Sequence, residues 1–377
     1  WVSPDSYWAY GKYEFELINN RDDEFEYRKN FFRDENGHLI ETETGIIPPG
    51  TSYIQELNNY LNPTDPNREI FPYVDFATKS EWEKLSNFIY PYYEETINKA
   101  NLEEFAPTLV EKLNEFDNIE DKIEYAIEYV QNHIYYIYNA DEMSGHKPQE
   151  AEITFNNKQG DCKAKCILLK VVFDYLGLNS SIILLNYNTD FYLKYYLPSL
   201  LAFNHVIVKV EHQGETYYVD PTMRGEFGWL ENRSFIYFCH YLEIKPNQTL
   251  QIRPSHKFPR FCIDEKVTIN INGNYGDLEA ESIYRYNRAN NMRRYFKNTN
   301  KREIVDSWNS FFYYSLNYNA DRPEMDLREI FKDAVIEIVS DDKKRNELKI
   351  KYKARIENPY FTDRNTNERF LMYFDRN

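Results

Sequence analysis

The stretch from residue 160 to residue 220 constrains the fold more than any other part of the chain. Its first part, residues 162–176, has a mostly apolar helical pattern, and Gly177 follows where a helix C-cap glycine is typical. Strand patterns come next at residues 181–187, 203–210 and 216–220, the last two separated by a turn signal at Gln213-Gly214. A helix followed by antiparallel strands predicts an α+β core.

The length of 377 residues exceeds one core of ordinary size, so two or three domains are expected. Residues 1–75 alternate strand patterns with turn signals, and we interpret them as a β-rich segment cut from a larger domain. Residues 76–258 hold helical patterns and the α+β core. Residues 259–377 predict a second β-rich domain, with strands at 266–271, 278–284, 334–339 and 348–356.

Residues 80–132 change to helical spacing. Asp117 and Glu120 have the spacing of a capping box at the start of one helix. The apolar positions within residues 119–134 then recur mostly every three or four residues, which predicts one buried stripe. Residues 135–160 are loop-like.

The net charge of −16 and the sequence pI of about 5.1 argue against some partners. Nucleic acid and anionic membrane surfaces both require clustered basic residues. A peptide or protein substrate is compatible with the charge. No apolar run reaches the roughly 18 residues of a membrane helix, so no transmembrane segment is predicted. The chain starts at Trp1 without a signal-peptide pattern, which we interpret as a mature or truncated form.

The 34 Tyr and 25 Phe residues are interpreted as strand and half-buried surface positions, with an aromatic-lined groove for peptide or sugar as the alternative. The four cysteines do not form a disulfide-dense scaffold. Cys162 and Cys166 share a helix face, and His146 has no zinc-site spacing to them, so no metal is predicted. The remaining cysteines and histidines are interpreted as structural, solvated or locally hydrogen-bonded: Cys239, His240, Cys262, His38, His133, His146, His212 and His256.

Three residues have the pattern of nucleophilic catalysis. Cys162 lies at a predicted helix N-terminus, where free N–H groups and the helix dipole favour a thiolate, and its own N–H can face a developing oxyanion. A thiolate works best beside an imidazole that a carboxylate orients. A hairpin turning at residues 213–214 puts residue 205 opposite about residue 222, so His205 and Asp220 are expected to meet across it.

These motifs resemble the transglutaminase-like superfamily, in particular its large bacterial multi-domain members. The resemblance rests on Gly160-Asp161-Cys162-Lys163, on Phe203-Asn204-His205-Val206 and on Tyr217-Tyr218-Val219-Asp220-Pro221-Thr222, and it covers about residues 80–235. It implies a papain-like core in which a helix with the cysteine packs on an antiparallel sheet with the histidine and aspartate. It also implies β-rich flanking domains. Ala164 departs from the acidic residue that is common after the Cys-Lys pair.

By resemblance, Cys162 is the nucleophile, His205 the base and Asp220 the orienting carboxylate. The implied reaction is acyl transfer on peptide or carboxamide bonds through a thioester. The acceptor is water in a protease or amidase and an amine in a transglutaminase; we favour hydrolysis. Tyr135 and Tyr136 are candidates for the oxyanion hole. No cofactor is implied, and secreted relatives favour a location outside the cytoplasm.

Two alternatives remain open at this point. One is a non-catalytic binding module with the same fold, which in this superfamily usually lacks one triad residue. The other is a glycan- or protein-binding surface protein that uses its β-rich domains and tyrosines. Retention of all three triad residues favours the enzyme.

Overall fold

The computed structural model describes residues 2–3, 10–33, 38–60, 73–78, 81–138, 145–254, 261–315, 326–362, 366 and 368–371. The chain divides into two units that are discontinuous in sequence. The first comprises Trp1–Asp117, His133–Thr222 and Ile236–His256. The second comprises Asn118–Asn132, Met223–Phe235 and Lys257–Asn377. The predicted division at residues 75 and 258 into three domains stays a prediction.

Alternating polar and apolar residues near the start of the chain form five strands of the first unit. They are β1 (Tyr10–Ile18), β2 (Phe25–Arg33), β3 (Leu39–Ile47), β4 (Ser52–Tyr60) and β5 (Tyr73–Thr78). β1 pairs with β4, and a second sheet has the order β3-β2-β5. The Phe76 ring lies 5.6 Å from Phe15 and 5.5 Å from Tyr53 between ring centroids, so these aromatic side chains pack on one another.

Four helices follow: α1 (Trp82–Asn98), α2 (Leu102–Phe105), α3 (Pro107–Asn114) and α4 (Ile119–His133). Along α4, Ile123, Ile127 and Val130 are buried, as the apolar stripe predicts. The predicted capping box is wrong by one residue, because the side chain of Asn118, not Asp117, accepts the backbone N–H of Asp121 at 2.7 Å. Almost all of α4 belongs to the second unit.

The core of the first unit continues with β6 (Tyr135–Tyr136), α5 (Ala151–Asn157), β7 (Gln159–Gly160) and α6 (Cys162–Tyr175). α5 occupies part of a stretch for which the sequence predicts only loop. α6 is mostly buried, in keeping with its apolar sequence. It ends at the predicted glycine: Gly177 has a φ of +72°, and the Leu178 N–H reaches the carbonyl oxygen of Phe173 at 2.9 Å.

A five-stranded sheet has the order β10-β9-β8-β11-β12. Its strands are β8 (Asn179–Leu185), β9 (His205–His212), β10 (Glu215–Val219), β11 (His240–Glu243) and β12 (Gln251–Ile252), and each neighbour is antiparallel. The turn between β9 and β10 has a φ of 52° at Gln213 and 81° at Gly214. Helices and antiparallel sheets together confirm the α+β class.

The second unit is built on the sheet β13-β14-β16-β15. Its elements are β13 (Ile263–Asn272), β14 (Tyr275–Arg285), α7 (Tyr286–Asn298), α8 (Lys301–Ser315), α9 (Leu327–Ile330), β15 (Phe331–Asp342) and β16 (Glu347–Glu357), followed by the pair β17 (Tyr360–Thr362) and β18 (Arg369–Leu371). Alternate residues of β14 and β16 are buried. In their core Phe312 of α8 stacks on Tyr352 with ring centroids 5.1 Å apart.

None of the helices within the described residues has both the length and the apolar character needed to cross a membrane.

Candidate active site

Cys162 is the first residue of α6. The side chain of Asp161 caps this helix by accepting the backbone N–H of Ala164 at 3.1 Å, and it also pairs with the ammonium group of Lys163. The first backbone N–H groups of a helix have no acceptor within the helix. The backbone N–H groups of Cys162 and Lys163 are therefore not used in hydrogen bonds within α6. The Cys162 side chain is buried except for a small exposed fraction.

Gly160 lies two residues before this helix, at a position without room for a side chain. A Cβ atom at this position would lie 2.5 Å from the Cβ of Ala164 and 3.2 Å from Cγ2 of Thr154. The Gly160 carbonyl accepts the N–H of Ile137 at 3.1 Å, and Gly160 pairs with Tyr136 in the short β6–β7 ladder. The chain therefore brings residue 136 close to the start of α6.

His205 and Asp220 lie at the same end of the β9–β10 hairpin. His205 is the first residue of β9, and Asp220 directly follows β10. His205 Nε2 lies 2.9 Å from Asp220 Oδ2. The other carboxylate oxygen, Oδ1, accepts the N–H of Thr222 at 2.8 Å and its hydroxyl at 2.7 Å. The Asp220 side chain is almost fully buried, so these donors replace the water that a carboxylate requires.

The charge of Asp220 determines that His205 carries a proton on Nε2. Burial raises the pKa of Asp220, but hydrogen bonds from His205, Thr222 and Tyr187 and the His205 charge outweigh it, so that the pKa lies below its ordinary value. An ionised carboxylate only accepts hydrogen bonds, so His205 Nε2 carries the proton that it donates. The other ring nitrogen, Nδ1, is left for a second partner.

Cys162 also hydrogen-bonds to His205. Burial lowers the pKa of His205, but hydrogen bonds to Asp220 and Cys162 and the charges of both outweigh it and raise the pKa to about 9. His205 thus hydrogen-bonds to both Cys162 and Asp220, and we refer to these three residues, which come from three separate elements of the first unit, as the row. This row is the arrangement in which an imidazole exchanges a proton with a thiol while a carboxylate fixes its orientation.

The two tyrosines proposed for the oxyanion hole differ in their relation to Cys162. Burial, the charges of Cys162 and Asp161 and a hydrogen bond to Cys162 raise the pKa of Tyr136 to about 12, so its hydroxyl stays protonated and can donate. Tyr135, the preceding residue of β6, points its side chain to the opposite side, as successive strand residues do. Tyr136 is therefore the stronger candidate.

Tyr187 is a site residue that the sequence analysis missed. It follows β8, and its ring stacks on the imidazole of His205 with centroids 4.5 Å apart and planes 28° apart. Its hydroxyl donates to Asp220 Oδ2 at 2.7 Å, the same oxygen that His205 faces. A signal was present in the sequence, because Asn-Tyr at 186–187 and Asn-His at 204–205 flank one long loop.

Two basic side chains near the start of α6, Lys165 and His146, are buried. Lys165 donates from Nζ to the carbonyl oxygen of Ile134 at 2.7 Å. His146, interpreted from the sequence as solvated or locally hydrogen-bonded, is instead buried, and burial with the Lys163 charge lowers its pKa to about 4. His146 is therefore neutral at physiological pH and does not compete as the charged partner of a thiolate.

The other cysteines have different surroundings. Cys166 is fully buried in α6, and its thiol donates to the carbonyl oxygen of Val206 at 3.4 Å. Cys239 is exposed and Cys262 partly exposed. Over the described ranges of the chain, no cluster of three or more His, Cys, Asp or Glu residues could hold a metal ion.

No protein-family model and no curated protein matches this chain. Solved structures similar to it include a proposed protease from Parabacteroides distasonis, with 10% identity, a TM-score of 0.40 and coverage of 95% of this chain and 86% of that chain. A proposed cysteine protease from Cytophaga hutchinsonii has 11% identity and a TM-score of 0.27, over 56% of this chain and 75% of that chain. Red sea bream transglutaminase has 9% identity and a TM-score of 0.22, over 72% of this chain and 67% of that chain.

These neighbours are two proposed proteases and a transglutaminase, the classes that the sequence resemblance also implies. With TM-scores below 0.5 they carry no argument about activity, so the chemistry must be derived from the geometry of the site.

Proposed function

We propose that this protein is a transglutaminase-like cysteine acyltransferase or hydrolase that acts on peptide or carboxamide bonds. The observation that carries the proposal is the row formed by Cys162 at the start of α6, His205 and the buried Asp220, with 2.9 Å between His205 Nε2 and Asp220 Oδ2. His205 is the residue that accepts and donates the proton that moves during the reaction. Asp220 orients it and stabilises its charged form.

In the first step the Cys162 thiolate attacks the carbonyl carbon of the substrate. The carbonyl π electrons move to the oxygen, which becomes an oxyanion that the Cys162 N–H and the Tyr136 hydroxyl are positioned to stabilise. The C–N bond then breaks as the imidazolium of His205 gives its proton to the leaving nitrogen. Ammonia or an amine departs, and the acyl group remains as a thioester on Cys162.

In the second step the neutral imidazole of His205 takes a proton from the incoming acceptor. Water as acceptor yields a carboxylic acid, and a primary amine yields a new amide. The Cys162 sulfur leaves as a thiolate, and His205 is again protonated, so the cycle closes without a cofactor. We favour hydrolysis and a peptide or protein substrate, which we expect outside the cytoplasm on the basis of the sequence resemblance.

The first test is the rate of alkylation of each cysteine by iodoacetamide between pH 5 and pH 8, read by peptide mass spectrometry. Cys239 is a built-in reference because it is exposed, and because burial and the Asp190 charge raise its pKa. In mild acid we expect the buried Cys162 to react at least about tenfold faster than Cys239, because only a thiolate is nucleophilic.

His205→Ala is expected to abolish this advantage of Cys162, whereas His212→Ala, at the other end of β9, is expected to retain it. A Cys162 that alkylates no faster than Cys239, or that reacts equally with and without His205, would contradict the enzyme and favour the non-catalytic binding module.

A further inference from the structure

Tyr187 contacts the His205–Asp220 pair, and two asparagines fix the position of Tyr187. Tyr187 covers one face of the imidazole, with ring centroids 4.5 Å apart, and its hydroxyl donates to Asp220 Oδ2 at 2.7 Å. One side chain therefore contacts both members of the pair. Such a contact restricts the rotation of the imidazole and the carboxylate together.

The backbone of Tyr187 is tied to that of His205. Asn204 accepts the N–H of Tyr187 on Oδ1 at 3.0 Å and donates from Nδ2 to Asn186 Oδ1 at 3.1 Å. Asn186 in turn donates from Nδ2 to the carbonyl oxygen of Ala202 at 2.8 Å. We refer to Asn186 and Asn204 as the asparagine clasp. It holds the residues that follow each asparagine, Tyr187 and His205, side by side.

We propose that Tyr187 is a positioning residue of the acyl-transfer site, which holds the imidazole of His205 against Asp220 through its ring and shares the Asp220 carboxylate oxygen through its hydroxyl. This inference rests on the proposed function of Cys162. Tyr187 acts through His205 and Asp220 and takes no part in bond formation.

The ring and the hydroxyl have opposite effects on the proton of His205. The ring holds the imidazole against Asp220, which strengthens their hydrogen bond and favours the imidazolium. The hydroxyl withdraws part of the carboxylate charge, which weakens the hold of Asp220 on the imidazolium. In the described part of the chain, the Asp220 carboxylate and the Cys162 thiol hydrogen-bond to His205, and the Tyr187 ring stacks on it. The balance lets His205 release its proton to a leaving nitrogen in each cycle.

Two variants separate these effects. Tyr187→Phe keeps the ring and removes the hydroxyl, and Tyr187→Leu removes both. Tyr92→Phe is the matched control, because Tyr92 in α1 is 40% exposed and Tyr187 is 38% exposed. For each protein we would follow the His205 imidazole by NMR between pH 5 and pH 10, and measure the alkylation of Cys162 by iodoacetamide at pH 6.

In Tyr187→Leu the imidazole is no longer held against Asp220, so the pKa of His205 is expected to fall and the Cys162 alkylation rate to fall at least about tenfold, as misplacement of a catalytic group does. In Tyr187→Phe the pKa of His205 is expected to rise, and the alkylation rate to remain within about threefold of the wild-type rate. Tyr92→Phe should match the wild-type protein in both measurements.

A Leu variant with an unchanged His205 titration and alkylation rate would overturn the positioning role of the ring. A Phe variant whose His205 titration does not move, or falls with that of the Leu variant, would overturn the role of the hydroxyl. If the Leu variant lacks the native circular dichroism spectrum, the Phe variant alone decides. Failure of the proposed function is distinguishable, because it appears in the wild-type protein as a Cys162 that reacts independently of His205.

Discussion

At the scale of single residues, the site depends on how a buried carboxylate is satisfied. Asp220 has hydrogen-bond donors on both oxygens, from His205, Tyr187 and Thr222. A buried carboxylate with this many donors remains ionised, and its charge then stabilises an imidazolium beside it. Asp220 therefore favours the charged form of His205.

The raised pKa of His205 predicts a pH dependence of stability. Because the folded-state pKa is about 9 and the ordinary value is 6.5, protonation of His205 stabilises the folded protein fully below pH 6.5. That contribution is lost as the pH rises through about 9. In Asp220→Asn the pKa of His205 is raised less. We therefore expect the urea midpoint of this variant to fall less between pH 6.5 and pH 9 than that of the wild-type protein.

The control for this measurement is Glu215→Gln, an exposed carboxylate at the start of β10. It should show the wild-type decline in midpoint. Equal declines in the wild-type protein and Asp220→Asn would mean that the imidazolium is not held by this carboxylate.

The oxyanion assignment predicts a difference between two neighbouring tyrosines. Tyr136→Phe removes the hydroxyl that hydrogen-bonds to Cys162, so acylation by p-nitrophenyl acetate should slow by about 100-fold. Alkylation by iodoacetamide forms no oxyanion and should stay within about threefold of wild type. Tyr135→Phe should leave both rates unchanged. The assignment fails if Tyr136→Phe acylates at the wild-type rate, or if both reactions slow equally.

The sequence allowed Cys162, His205 and Asp220 to be predicted as site residues, but not the side chains that surround them. His205 and Asp220 could be paired in advance because a hairpin register follows from its turn, and the β9–β10 ladder pairs His212 with Glu215 as that turn requires. Tyr187 could not be found in this way. Its contact with His205 depends on where a long loop closes, and no periodic pattern encodes that position.

At the scale of elements, the start of α6 is the most constrained point of the site. Gly160 packs against Ala164, so the strand β7 can enter the helix only if one of these residues lacks a side chain. The cap residue Asp161 and the proposed nucleophile Cys162, with the N–H proposed to stabilise the oxyanion, follow within two residues. A change at Gly160 is therefore expected to displace chemistry as well as packing.

Gly160→Ala tests this constraint. Its Cβ would lie 2.5 Å from that of Ala164, so we expect a loss of about 1–3 kcal/mol in the free energy of unfolding and a slower alkylation of Cys162. The double variant Gly160→Ala/Ala164→Gly restores the space and should recover Cys162 reactivity, although glycine in a helix costs about 1 kcal/mol. A single variant with wild-type stability and reactivity would show that the close approach is not required.

The corrected cap of α4 predicts a second difference at this scale. Asn118→Ala removes the side chain that accepts the Asp121 N–H, and should lower the free energy of unfolding of the second unit by about 1 kcal/mol. Asp117→Ala, at the position that the sequence favoured, should cost less than about 0.5 kcal/mol. Thermal unfolding followed by circular dichroism compares the two. The reverse order of costs would restore Asp117 as the cap.

Helices with strong signals were predicted, and short elements were not. α6 and its terminal Gly177 follow from a long apolar pattern and a C-cap residue. α5 has only seven residues, too few for a helical period to be distinguished from a loop. Asn118 and Asp117 are both good cap residues, so their order along the sequence cannot decide which one occupies the N-cap position.

At the scale of the whole molecule, the two units do not correspond to continuous stretches of the sequence. Residues 118–132 and 223–235 lie inside the predicted core of 76–258, but they belong to the second unit. Within that unit the Gly225 N–H donates to Asn132 Oδ1 at 2.9 Å, and Asn346 Nδ2 donates to the carbonyl oxygen of Asn232 at 3.0 Å. Sequence composition changes gradually along the chain, so it cannot reveal that such stretches leave one unit for another.

This division predicts the behaviour of a fragment. Residues 76–258 alone would retain two stretches without the rest of their unit. The fragment would also lose Arg28 and Asp75, which bond to the backbone of Tyr196 and Leu197 at 2.9 and 2.8 Å. We expect a fragment without cooperative thermal unfolding and without fast alkylation of Cys162, measured beside the full chain. A cooperative fragment with native reactivity would instead support the predicted boundaries.

The asparagine clasp has a consequence for how this protein can be altered. Asn186 and Asn204 close the base of the intervening loop, so its two ends are held together at the site. The entropy of closing a loop grows slowly with its length. The length of this loop can therefore be changed at low cost only where residues 190–199 keep their own contacts. The Asp190 carboxylate accepts the backbone N–H groups of Cys239 and His240, and the backbone of Tyr196 and Leu197 bonds to Arg28 and Asp75.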